Sequence, residues 1–113
     1  MKENKIWGET SLIWTGNNAE LHRIKAEKGG YCSKHYHKSK WNLFFVEKGE
    51  LLIEIWSKND VIDTTVLKAG EMTAVAPEVY HRFTATEDTE ALEVYWVHLK
   101  SDDIVRETVG GRL

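Results

Sequence analysis

Apolar residues in this chain come in runs of roughly four to eight, each closed by turn-forming residues, a spacing that suits strands and excludes long helices. The stretch LFFVEKGELLIEIW is the clearest instance. Two strands, Leu43 to Val46 and Leu51 to Trp56, flank a tight turn through Lys48 and Gly49 and read as a hairpin. DTTVLKAGEMTAVAP repeats the pattern, with β-branched Thr64, Thr65 and Val66, a turn at Ala69 and Gly70, and a further strand closed by Pro77. HRFTATEDTEALEVYWVHL adds two strands around the polar turn at Glu87, Asp88 and Thr89. The succession predicts an all-β, antiparallel fold of about six to eight short strands, closed as a sandwich or jelly-roll barrel with alternate residues facing inward. Only the tail SDDIVRETVGGRL offers a helical turn, with Ser101 as N-cap and Asp102 and Asp103 in its first turn.

With 113 residues the chain has length for one domain and one core. Lys and Arg total 15 against 18 Asp and Glu, a net charge of -3, and no basic block follows a phosphate backbone, so nucleic acid is not an expected partner. The opening MKENKIWGETSLIW has neither the apolar core of a signal peptide nor a membrane-spanning run, which sets the expectation of a cytoplasmic protein without membrane contact. Cys32, the sole cysteine, rules out an internal disulfide and a Cys-rich zinc site. Any metal must therefore be held by imidazole, carboxylate or amide. Cys32 stands three residues before His35, which in a regular strand puts it on the opposite face, as a small buried hydrophobe.

His35 and His37 are spaced to share one strand face, about 6.5 to 7 Å apart along the strand, with Tyr36 turned away. His81, four residues after Pro77, opens a later strand that an antiparallel barrel can lay beside the first. Three neutral imidazoles suit one divalent transition ion, Zn, Mn, Fe, Ni or Co, with positions left open for water or substrate. Asn42 is a candidate fourth ligand through its side-chain oxygen, and equally a strand-edge residue bonding backbone. His22 and His98 lack such spacing and read as surface or supporting residues.

The order Gly29, His35-Tyr36-His37, Asn42, Gly49 resembles the first cupin motif, and Gly70, Pro77, His81 resemble the second. That resemblance implies a small antiparallel barrel with a metal inside. Within cupins the chain is similar to the isomerase domain of type II mannose-6-phosphate isomerases. Trp7-Gly8 resembles the Pro-Trp-Gly near that domain's start, and APEVYHRF its Ile-Pro-x-Gly-x-x-His-Arg segment. The tail SDDIVRETVGGR is similar to its closing Glu-Asp-Asp-Ile-Val-Arg followed by Tyr-Gly-Arg. One departure stands out: Lys40 or Asn42 occupies the place of the motif's Glu, which removes an anionic ligand.

The resemblance implies an aldose-ketose isomerase acting on a sugar phosphate, and a homodimer. Proton transfer between adjacent carbons needs a base and a Lewis acid. Glu54 in LLIEIW and Glu93 in ALEVYW are the candidate bases, because each interrupts an apolar strand; a solvated outer face gives the same pattern. Lys40 and Arg82 are candidates for the phosphate. Arg106 binds substrate by resemblance, or pairs with Asp102 or Asp103 at the surface. Two other readings compete: a three-His non-haem dioxygenase of cupin type, and a non-enzymatic cupin binding a sugar or small anion, in which Trp41, Trp56 or Trp96 stacks on a ring.

Overall fold

The structure is a computed structural model describing residues 1–57, 59–60, 62–97, 99 and 102–113. The described residues form nine strands: β1 (Lys2–Lys5), β2 (Gly8–Thr15), β3 (Ala19–Ala26), β4 (Trp41–Lys48), β5 (Glu50–Trp56), β6 (Ile62–Lys68), β7 (Met72–Val75), β8 (Tyr80–Ala85) and β9 (Thr89–Trp96). Six make one sheet in the order β1-β2-β3-β9-β4-β7, and three make a second in the order β6-β5-β8. Every strand pair is antiparallel, as the run pattern requires. No described residue is helical, so the helical turn expected in the tail does not form from Asp102 onward. Its expected cap, Ser101, and also His98 lie outside the described residues. No described helix is long and apolar enough to cross a membrane.

One expectation is corrected. The strands either side of Gly49 do not pair as a hairpin: β4 pairs with β7 and β9, whereas β5 pairs with β6 and β8. Gly49 has φ +94°, and a Cβ there would run into the Asp88 carbonyl and the Thr89 side chain. The Glu50 amide donates to Thr89 Oγ1 at 3.0 Å. The chain thus turns a corner against the start of β9 and enters the other sheet. The junctions between β6 and β7, β7 and β8, and β8 and β9 cross between sheets in the same way. These crossings close the two sheets into the jelly roll.

Alternation then sorts the side chains. Asn42, Phe44 and Val46 on β4, Ala91 and Glu93 on β9, Leu51 and Ile53 on β5, and His81, Phe83 and Ala85 on β8 are buried. Register aligns these rows, with Val46 opposite Ala91 and Leu51 opposite Ala85 at one end. At the other end Phe44 faces Glu93, and Ile55 faces His81. The rows of β4, β8 and β9 pass from apolar to polar in the same direction, giving a dry end and a polar end to one interior. Phe44 and Phe83 floor the polar end, their ring centroids 5.9 Å apart. Trp7, from the link between β1 and β2, packs edge-on to Phe83 at 4.9 Å. Burial of each large apolar side chain here contributes about 1.5–3 kcal/mol.

Gly49→Ala should destabilise the fold by about 1–3 kcal/mol, because positive φ and overpacking against Asp88 and Thr89 act together. Urea denaturation checks this; an unchanged midpoint would mean that the corner between the sheets is not tight.

Candidate metal centre

The chain from residue 27 to 40 forms no named strand, yet it is pinned along β8. The Gly29 amide donates to the Ala85 carbonyl, Cys32 to Phe83, and His35 to His81, at 2.7, 3.1 and 3.1 Å. The His81 amide returns a bond to the His35 carbonyl at 2.9 Å, and the Glu78 amide donates to the His37 carbonyl at 2.7 Å. Tyr31 bridges Thr84 and His35 bridges His81, so one more residue separates the first pair of positions on this segment than on β8. That extra residue acts as a bulge and reverses the parity of facing. Cys32 and His35 therefore line the same cavity, and the expectation that they face opposite ways fails for this reason. Cys32 is buried in the core as expected, and burial pushes its thiol up to about 11.

His35, His37 and His81 converge, with one ring nitrogen of each lying within 4.8 Å of the others. His35 Nδ1 donates to the Ser33 carbonyl at 2.7 Å and His81 Nδ1 to the Val79 carbonyl at 2.9 Å. A carbonyl only accepts, so these bonds place the ring protons on Nδ1 and leave the Nε2 lone pairs free. His37 Nε2 is buried without a hydrogen-bond partner. Asn42, also buried, donates from Nδ2 to Glu93 Oε2 at 3.1 Å and sets its Oδ1 3.1 Å from His81 Nε2. Two lone pairs face each other across that gap. Two donor atoms about 2.1 Å from one ion and at right angles to each other stand about 3 Å apart. The orphaned His37 nitrogen and the opposed lone pairs fit a cation and would be costly without one.

Burial pushes the His37 pKa from its ordinary 6.5 to about 4, and the neighbouring His35, His81 and Lys40 add to the shift. His81 is lowered chiefly by burial, against its bond to the Val79 carbonyl. Both rings therefore stay neutral, the ligating form, at pH 7. Burial raises the Glu93 carboxyl, opposed by hydrogen bonds from Asn42 and Tyr95. The Tyr95 hydroxyl is raised by burial and by Glu93. Beside the imidazoles lies a cavity of about 370 Å³ whose lining includes His35, Glu93, Tyr95, His22, Phe83 and Trp7. Tyr95 was not among the candidates, although it shares the inward face of β9 with Glu93 two residues away. His22 supports this wall, edge-on to Tyr95 at 5.4 Å, with Nε2 3.0 Å from Glu20 Oε2.

The remaining candidates separate. Lys40 stands near the rim, its Nζ 4.3 Å from the Tyr95 ring centroid. Glu54 and Arg82 fall on the outer face of the small sheet, because their neighbours Ile53 and His81 take the inward positions. Arg82 Nη2 donates to Glu54 Oε1 at 2.8 Å, so both charges are spent on each other, away from the imidazoles. Arg106 is exposed in the tail and makes no ion pair with Asp102 or Asp103 among the described residues. Trp41 and Trp96 stack on each other at 5.9 Å, and Trp56 is covered by Lys34 and Arg82, so these rings already have partners.

Residues 22–98 match the family model described as Cupin domain. Among solved structures, KdgF from a Halomonas species superposes with a TM-score of 0.74 at 13% identity, covering 86% of this chain and 86% of its own. An oxalate decarboxylase from Bacillus subtilis superposes at 0.77 with 16% identity, covering 86% of this chain but only 27% of its own. A cupin-2 domain containing protein from Shewanella frigidimarina superposes at 0.65 with 24% identity, over 81% and 82% of the two chains. These likenesses show the fold. No curated protein matches the chain.

The depressed His37 pKa has a stability consequence. Between 6.5 and about 4 the unfolded chain takes up the proton first, so metal-free protein should lose stability as pH falls through that window and keep it above. Urea midpoints in chelator at pH 7 and pH 5 check the sign, and His37→Ala should flatten the difference; an equal slope in that variant would contradict it.

Proposed function

We propose, from the premise that this chain belongs to the cupin family, that it holds one divalent transition ion on His35, His37, His81 and the Asn42 oxygen and isomerises a small sugar phosphate resembling mannose 6-phosphate. The observation that carries the reading is the convergence of three imidazoles with a buried, unpartnered nitrogen on His37. When bound, the ion would supply a Lewis acid to polarise a carbonyl oxygen.

The chain's own residues supply the rest. Glu93, on the cavity wall, is the candidate to move a proton between adjacent carbons, and burial raises its carboxyl above the ordinary value. Asn42 Nδ2 holds its Oε2. Phe83 and Trp7 keep the inner wall dry. Lys40, whose Nζ lies over the Tyr95 ring, is the candidate cation for a phosphate. Arg82 is committed to Glu54, which reduces the phosphate site relative to the one expected from sequence.

A second reading rests on a specific observation: the converging donors are imidazoles and an amide, with no carboxylate among them. Such a set also suits Fe(II) in oxygen chemistry. A binding-only role through Trp41, Trp56 and Trp96 would have to use rings that already pack against one another or against Lys34 and Arg82. The homodimer expected from the family resemblance belongs to the proposed reading, with light scattering as its test.

Protein purified without chelator should carry about one ion per chain, and His37→Ala should lose most of it while the far-ultraviolet spectrum stays that of the native fold. The native protein should interconvert mannose 6-phosphate and fructose 6-phosphate, and Glu93→Ala should slow this by about 10²-fold or more. Iron in the purified protein, oxygen uptake with thiols or phenols and no isomerisation would replace the isomerase with the oxygenase. Unchanged metal content in His37→Ala would overturn both.

A further inference from the structure

An asparagine amide can present either its oxygen or its nitrogen to a site, and only its neighbours decide which. Within hydrogen-bond distance of the Asn42 amide stand His81 on one side and Glu93 on the other, with the His37 ring also near the amide. His81 alone would favour the nitrogen. Its Nδ1 proton is committed to the Val79 carbonyl, so its Nε2 lone pair would accept a bond from Nδ2 in metal-free protein. The observed amide is turned the opposite way, with Nδ2 on Glu93 Oε2 at 3.1 Å and Oδ1 toward His81. Glu93 Oε2 accepts from Asn42 Nδ2, so the carboxyl is held as an acceptor toward the amide. It reaches this place from β9, 51 residues from Asn42 in sequence and beside it through the pairing of β4 with β9.

We propose that Glu93 is a positioning residue that turns the Asn42 amide so that its oxygen, and not its nitrogen, faces the three imidazoles. An acid missing from the ligand set is thereby replaced by two residues on neighbouring strands, an amide that faces the ion and a carboxyl behind it that aims the amide. The inference rests on the metal reading above and adds to it a reason for Asn42 to act as a ligand.

Cobalt(II) tests it, because its visible absorption reports the donor atoms independently of any turnover. Glu93→Gln keeps size and introduces a donor that can bond the Asn42 oxygen, freeing Nδ2 to bond His81 in the metal-free state. Cobalt(II) uptake must then reverse both amides. Affinity should fall about tenfold or more, the range seen when a residue that orients a ligand is removed, with a changed visible band. Glu93→Met, which offers no acceptor, should weaken binding in the same direction. Adding Asn42→Asp to Glu93→Gln should restore affinity, because a carboxylate presents an oxygen whichever way it is turned. Native affinity and spectrum in both single variants would overturn the inference while leaving the metal reading intact. No uptake of cobalt(II) by the native protein would overturn the metal reading itself. Should the variants not fold, nuclear Overhauser contacts in the native metal-free protein decide: Asn42 Nδ2 protons close to the His81 ring would overturn the assignment, and their absence there, with protection from exchange, would support it.

Discussion

The reciprocal backbone bonds between His35 and His81 are the constraint on which the site depends. The three histidines come from two parts of the chain, and a side chain cannot converge on a common point unless its backbone is held. Here the two amides each donate to the other residue's carbonyl, at 3.1 and 2.9 Å, so the ring of His35 is brought within 4.7 Å of that of His81, centroid to centroid. His37 follows two residues on, with its carbonyl tied to Glu78 just ahead of β8. The irregular segment is therefore as well anchored at His35 and His37 as a strand would be, while its extra residue frees it from a strand's strict alternation. The same backbone bonds satisfy groups that would otherwise be costly to bury beside a polar interior.

What the sequence makes legible follows from what alternation can and cannot encode. The rows Asn42-Phe44-Val46 and His81-Phe83-Ala85 show their inward faces directly, and the three converging histidines stand out by residue type and spacing. The strands β1 and β2 leave a weak trace, because one is exposed throughout and the other carries no fully buried residue. Pairing is less legible still. A turn such as Gly49 looks the same in sequence whether the next strand folds back on the last or passes to the facing sheet, and the contact that decides it, with Asp88 and Thr89, lies some forty residues away. The facing of Cys32 was inverted by one inserted residue. Glu54 and Glu93 both interrupt apolar runs, and only the register of their strands separates an outer ion pair with Arg82 from an inner partner of Asn42.

Concentrating the polar groups at one end of the interior has an electrostatic price that the arrangement keeps low. Imidazoles whose charged forms are disfavoured by burial carry no charge at neutral pH, and the amide adds none. The one buried carboxyl among the described residues, Glu93, accepts from Asn42 Nδ2, which belongs to the site itself. Phe44 and Phe83 lie directly beneath, so the polar end is walled off from the apolar core by rings and not by further hydrogen-bonding groups. The apolar half can thus account for folding while the polar half is left free for chemistry.

Trp7 ties this division to the margin of the large sheet. Its ring rests on Phe83, and its carbonyl accepts from the Glu27 amide at 2.9 Å, where the chain enters the segment that carries His35 and His37. Yet Trp7 sits in the bend joining β1 to β2, and β1 is an exposed outermost strand bonded to β2 alone within the sheet. Fraying of that margin is among the least costly openings a sheet has. When it frays, the indole leaves the cavity wall and the anchor of the histidine segment slackens together, so the outermost strands govern how firmly the wall beside the imidazoles is held.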